Sequence, residues 1–190
     1  MTPLGADDGR LQFLEGDWSG QAWGLQNWAA YEVSAAGQTE FVDDDDIRFW
    51  IPTVKYFAEF PFRISEADVV LYAGERTRDG RVHDLVFATW NQAAAQDMTD
   101  QYLLWIDRES GILELLQYTV RDVMASVVGT MDYADFRTRA GILVPHRMTV
   151  VDSPENDEVM HEFVVRKARF GVQYPEGFFY PDPQRHGSTY

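Results

Sequence analysis

Four histidines, His83, His146, His161 and His186, are the residues here with the widest chemical repertoire near neutral pH. Their spacing assembles nothing locally. There is no His-x-His or His-Glu-x-x-His pair, so a zinc site would have to be drawn from distant strands. His83-Asp84 and His161-Glu162 set acid beside imidazole, but neighbouring strand residues point to opposite faces. The chain has no cysteine, which removes thiol nucleophiles, disulfides and cysteine-ligated metals. A Gly-x-Ser-x-Gly elbow, a P-loop and a Gly-x-Gly-x-x-Gly turn are also missing from the sequence. The run Asp43-Asp44-Asp45-Asp46 offers carboxylates to calcium, yet without Asp-x-Asp-x-Asp-Gly spacing it reads as a solvated acidic loop. With 31 acidic residues many chance carboxylate pairs can form, and nothing marks one for hydrolysis. The expectation is a protein with no catalytic residues, no metal and no cofactor.

What remains is aromatic and apolar. Tyr56, Phe57 and Phe60 form a stripe that either fills a core or lines a ligand cavity. Trp90 and Trp105 sit in apolar strands, as core with a partnered indole N–H or as rigid cavity walls. Trp18, Trp23 and Trp28 lie among Gly, Ser, Gln and Asn, but their five-residue spacing builds no single face for stacking a sugar. Arg121-Asp122 and His146-Arg147 interrupt apolar strands, where an unpaired charge is costly. They either pair with each other or meet a ligand's anionic head group.

These residues must be carried by strands. Asp79-Gly80 separates Val69–Arg76 from Arg81–Trp90, and Arg108–Gly111 separates Tyr102–Asp107 from Ile112–Arg121. Arg139-Ala140-Gly141 separates Ser126–Phe136 from Leu143–Val151, and Ser153–Asp157 turns into Met160–Phe170. Meandering hairpins make an antiparallel sheet. Tyr102, Leu104 and Ile106 alternate with Leu103 and Trp105, and Val82, Val86 and Trp90 with Leu85 and Phe87. Both faces therefore need cover. One helix is expected within Ile51–Ile64, with Val54, Phe57 and Ala58 on one face, Lys55 and Glu59 on another, Pro52 in its first turn and Pro61 at its end. Gln38–Trp50 reads as a strand broken by the aspartates. Residues 1–9 read as a loose leader, and 171–190, rich in Pro, Tyr and Phe, as an extended tail of one 190-residue domain.

The net charge of −15 makes nucleic acid and anionic membrane surfaces poor partners, and no apolar run is long enough for a transmembrane helix. Scarce lysine beside abundant aspartate fits either a high-salt environment or GC-rich coding bias. The first eight residues lack the basic start and apolar region of a signal peptide, which fits a cytoplasmic protein or a mature form.

The block Ile51–Ile64 (IPTVKYFAEFPFRI) resembles one in uncharacterised bacterial proteins of the LolA-like superfamily. So do Asp100–Asp107, the following Tyr118-Thr119-Val120-Arg121-Asp122, and the step Gly141–Pro145. Together they span roughly Trp50–Val151 in the expected order. The resemblance implies a curved antiparallel half-barrel with one or two short helices against its concave face. It also implies carriage of a lipid, acyl chain or lipoprotein without covalent chemistry, in the periplasm or otherwise outside the cytoplasm. Residues 1–49 are shorter and richer in glycine than that pattern. Gly16-Asp17-Trp18 resembles the start of a lipocalin-like barrel, which makes a closed barrel the runner-up. The expected ligand-binding set is Tyr56, Phe57, Phe60, Trp90, Trp105, Tyr118, Arg121 and His146, holding an apolar or amphiphilic molecule between sheet and helix. A filled core serving as a protein-interaction module is the alternative, with an enzyme in an open cavity behind it.

Overall fold

Two-residue turns close several hairpins of this computed structural model, which describes residues 6–121 and 127–185, with Asp157 as backbone only. His186, Asp122 and the outer ends of the expected leader and tail lie outside the described residues. At Asn27-Trp28, Asp79-Gly80 and Ala140-Gly141 both central residues have positive φ, the turn whose twist matches that of the flanking strands. The chain divides into two compact units, one of residues 1–63 with 171–190, the other of 64–170.

The first unit holds a four-stranded antiparallel sheet in sequential order: β1 (Gly9–Gln12), β2 (Ala22–Gln26), β3 (Ala29–Val33) and β4 (Thr39–Phe41). Helix α1 (Asp45–Arg63) packs on β1, β2 and β3. It is longer than the sequence reading, because the aspartate run is its start rather than a break in a strand. Asp44 Oδ1 accepts the Ile47 N–H at 3.0 Å, an N-cap that contributes about 1 kcal/mol. Asp45 and Asp46 lie in the first turn, where the helix dipole favours negative charge. Pro52 and Pro61 are both inside the helix, so Pro52 removes the bond its N–H would have made to the Arg48 carbonyl.

The buried stripe of α1 also differs from expectation. Ile47 and Ile51 meet Leu25 and Ala30, with Leu11, Trp23 and Val42 around them. Continuing the i, i+4 rise buries Lys55 and Glu59, while Ala58 is exposed. Lys55 Nζ donates to the Asp8 carbonyl at 3.3 Å and lies 4.0 Å from Glu59 Oε1. Burial holds the Lys55 ammonium below its ordinary pKa and pushes the Asp8 carboxyl up. Asp8, in the stretch read as a leader, is itself buried and accepts the Asn27 N–H at 2.7 Å.

The tail returns to this unit. Gln26 donates to the Asp182 and Arg185 carbonyls at 2.6 and 3.1 Å and accepts the Asp182 N–H at 3.2 Å. The Tyr31 hydroxyl donates to the Phe179 carbonyl at 3.2 Å. Gly24, opposite Tyr31 in the β2–β3 register, leaves room for that ring; a Cβ there would stand 1.9 Å from the ring carbon that bears the hydroxyl.

The second unit holds a seven-stranded antiparallel sheet. Its order, β11-β10-β9-β8-β7-β6-β5, is the sequence order reversed, as a meander requires. The strands are β5 (Val69–Arg78), β6 (Arg81–Thr89), β7 (Gln101–Asp107), β8 (Leu113–Thr119), β9 (Val128–Arg139), β10 (Ile142–Ser153) and β11 (Asn156–Val164). β5 and β11 are both edges, so the sheet is open and the closed-barrel alternative does not hold. Both faces are buried, as the failed alternation required: Tyr102 and Leu104 on one, Trp105 and Leu85 on the other.

One ion pair shows the sheet's curvature. Arg78 on β5 and Asp132 on β9 are four strands apart, about 19 Å in a flat sheet. Their side chains nevertheless meet at 3.0 Å. The sheet therefore curls, and at this end the face carrying both residues is the inner one.

Candidate functional site

Register places Arg78, Arg81, His83, Leu85 and Phe87 on that inner face. They are joined by Leu103, Trp105 and Asp107 from β7 and by Leu115 and Gln117 from β8. The face falls into a charged end, an apolar middle and an open end.

At the charged end three strands bring their polar groups together. Arg81 forks between Asp107 (2.9 Å) and Glu114 (2.6 Å), and His83 Nε2 is hydrogen-bonded to the other Glu114 oxygen at 2.9 Å. Asp107 also accepts the Ser110 backbone N–H at 2.7 Å and its hydroxyl at 2.6 Å. The Ser110 donors, aided by Arg81, hold the Asp107 carboxyl down at about 2. The donor atoms of His83, Asp107 and Glu114 lie within 4.8 Å of one another, a spacing that suits a divalent cation. The Arg81 guanidinium already takes both carboxylates, however, and no hydrogen bond from a described residue orients the buried His83 Nδ1 as metal ligands normally are. The cluster is saturated with its own charges. The sequence hid it because the long β6–β7 connection leaves the register between His83 and Asp107 unreadable.

In the middle, Leu85, Trp105 and Leu115 form a buried cluster with Leu103 against it. The Trp105 ring is 6.0 Å from the His83 ring, and its N–H donates to Gln117 Oε1 at 3.0 Å. This satisfies the requirement that a buried indole be partnered.

At the open end lies a groove of about 190 Å³. Phe87, Leu103 and Val128 give it an apolar floor, and Gln101, Gln117 and Thr119 give it a polar rim. Asp100 organises the rim by accepting the Thr119 hydroxyl at 3.0 Å and the Arg121 N–H at 2.8 Å. The Arg121 side chain donates to Gln101 Oε1 at 3.0 Å, and its buried Nε has no hydrogen-bond partner among the described residues. Among the described residues the cation of this network, Arg121, therefore stands one amide away from an apolar groove.

The expected ligand-binding residues do not all meet here. Trp105 and Arg121 flank the groove. Tyr118 borders it, but by strand alternation its ring belongs to the other face, where a Cβ on Gly129 would come within 2.5 Å of it. Burial pushes the Tyr118 hydroxyl up to about 12. Trp90 packs its ring 5.7 Å from Tyr102. His146 is on β10 on the face of Met148 and Val150, fully buried, with no hydrogen bond to either ring nitrogen from a described residue. Tyr56 makes edge-on ring contacts with Phe57 and Phe60 on α1, in the first unit. Trp18 and Trp23 pack with Phe13 at ring distances of 4.9 to 5.1 Å, so they serve an aromatic cluster.

No family model matches the chain, and neither does any curated protein. Among solved structures it is similar to a DUF1329 family protein from Desulfovibrio piger, with TM-score 0.51 and 13% identity over 90% of this chain and 74% of that one. A putative outer membrane lipoprotein-sorting protein domain from Vibrio parahaemolyticus gives 0.48 and 10%, over 92% and 75%. A LolA superfamily protein from Nitrosomonas europaea gives 0.47 and 10%, over 90% and 76%. At such identity the first of these shows a shared fold alone. That fold is of the expected class: mainly β, with an open, curled antiparallel sheet and a short helical part.

Proposed function

We propose that this chain binds one apolar or amphiphilic molecule, a lipid or acyl chain, on the inner face of the seven-stranded sheet, without covalent chemistry. The observation that carries the reading is the groove over Phe87, Leu103 and Val128, with an amide rim and Arg121 behind Gln101. Apolar floor with a few placed polar groups is the usual composition of a small-molecule site. At about 190 Å³ it is smaller than sites that enclose a whole drug-sized ligand, so it takes one chain end and leaves the rest outside. Burial at about 25 cal/mol per Å² drives binding, and Arg121 favours an anionic head group. The self-bonded charged end fits a carrier better than an enzyme. The resemblance to LolA-like proteins, and a neighbour described as lipoprotein-sorting, agree with such a role and with a place outside the cytoplasm. Among the described residues no helix is long and apolar enough to cross a membrane.

Native mass spectrometry of the purified protein, followed by organic extraction, tests this. A retained amphiphile, or uptake from a mixed lipid extract, is expected. Leu103→Glu should abolish uptake, and Arg121→Gln should weaken an anionic chain roughly tenfold while sparing a neutral one. A clean apo mass with no uptake would overturn the proposal.

A further inference from the structure

The two outer strands of the seven-stranded sheet are guarded differently. β11 carries Glu158 and Glu162 among its apolar residues, and charges on an edge discourage pairing. β5 has no charge from Val69 to Gly74. Within that stretch Val70, Leu71 and Tyr72 are 54%, 51% and 66% exposed. Val70 and Tyr72 lie on one face and Leu71 on the other, so the strand is bare on both. It pairs with β6 on one side, and its other side presents main-chain donors and acceptors that another strand completes.

The flanking charges identify which strand fits. Glu66 and Asp68 precede the uncharged stretch, and Glu75, Arg76 and Arg78 follow it. Glu75 is held by Arg108 at 2.6 Å and Arg78 by Asp132 at 3.0 Å, which leaves Arg76, exposed and opposite His83 in the β5–β6 register, as the cation of that flank. Antiparallel pairing of two copies sets the acidic flank of each against Arg76 of the other. Parallel pairing would set like charge on like. With a net charge of −15 two copies repel broadly, and this edge combines a neutral stretch with flanks of opposite sign.

We propose that β5 is a dimerisation edge. A second copy adds its own β5 antiparallel, about a two-fold axis near Leu71, and joins the two sheets into one. The contact is isologous, and it allows Val70 and Tyr72 to form aromatic–aliphatic pairs across it. The bulge between Tyr72 and Gly74, with Gly74 at φ 99°, confines the flat pairing surface to the first half of the strand. The proposal is independent of the ligand groove.

Sedimentation equilibrium on the full chain tests it. Wild type is expected to be a dimer. Leu71→Lys and Leu71→Glu each place like charges across the axis, and each should raise the dimer dissociation constant more than about tenfold. An equimolar mixture of the two variants should dimerise again, because Lys then faces Glu. This recovery also shows that both variants remain folded. A monomeric wild type, or a dimer that Leu71→Lys leaves intact, would overturn the proposal. So would failure of the mixture to recover.

Discussion

The two ends of the inner sheet face share the strands β6, β7 and β8 and do opposite things. At the hairpin end every carboxylate is met by Arg78, Arg81, His83 or the Ser110 donors, and the groups that look most like chemistry are consumed in holding the curl. At the other end polar groups are few and stand at the margin of an apolar floor. In this sheet titratable residues mark structure, and a shortage of them marks the groove proposed to take a ligand. Buried ion networks contribute little stability over apolar packing but lose much when one member is removed. An apolar floor tolerates exchange of its occupant because dispersion and burial are non-directional.

The largest way to break this contrast is to remove the divider. Trp105→Ala should cost about 3–5 kcal/mol in chemical denaturation, because the indole fills the space between the His83 ring and the groove and satisfies Gln117. A loss below about 1 kcal/mol would make the indole a cavity wall rather than core. Next, Gly129→Ala drives a Cβ to 2.5 Å from the Tyr118 ring and should cost about 1–3 kcal/mol. If that close approach is the cause, most of the penalty should vanish in a Tyr118→Ala background, as a double-mutant cycle would show.

The smallest effect sharpens the charged end through pH. Asp107 titrates at about 2 when folded, against an ordinary value of 3.8. Its contribution is therefore complete above 3.8 and lost as pH falls towards 2. Denaturation midpoints followed downward through this window should fall less steeply in Asp107→Asn than in wild type. Parallel pH profiles would mean that Asp107 is not held down by its donors.

The hairpins were legible because their turns are written in local residues: Asp79-Gly80 and Ala140-Gly141 need positive φ, and glycine supplies it. The two-faced burial of the sheet was legible from Leu103 and Trp105 alternating with Tyr102 and Leu104. The start of α1 is not legible locally, because four aspartates resemble a loop, while their capping role depends on Ile47 and Ile51 finding Leu25 and Ala30 elsewhere in the chain. The charged cluster was illegible for a related reason. His83, Asp107 and Glu114 meet through register across a long connection, and register is set by burial of whole faces rather than by nearby residues. Arg121 stands out in the sequence as an anomalous charge, but its tie to Gln101 depends on the same register and is not legible there.

The return of the tail to the small sheet has a consequence for synthesis. The seven-stranded sheet is one continuous stretch, 64–170, and can be completed as soon as that stretch is available. The first unit is discontinuous: Gln26 waits for Asp182, 156 residues later, and Tyr31 for Phe179, 148 later. Long loop closures of this kind slow folding, and here they concern residues that are made only after the whole seven-stranded sheet. Until they arrive, the Gln26 amide and the Tyr31 hydroxyl lack these partners. Of the two sheets, the small one is thus begun before the other and finished after it.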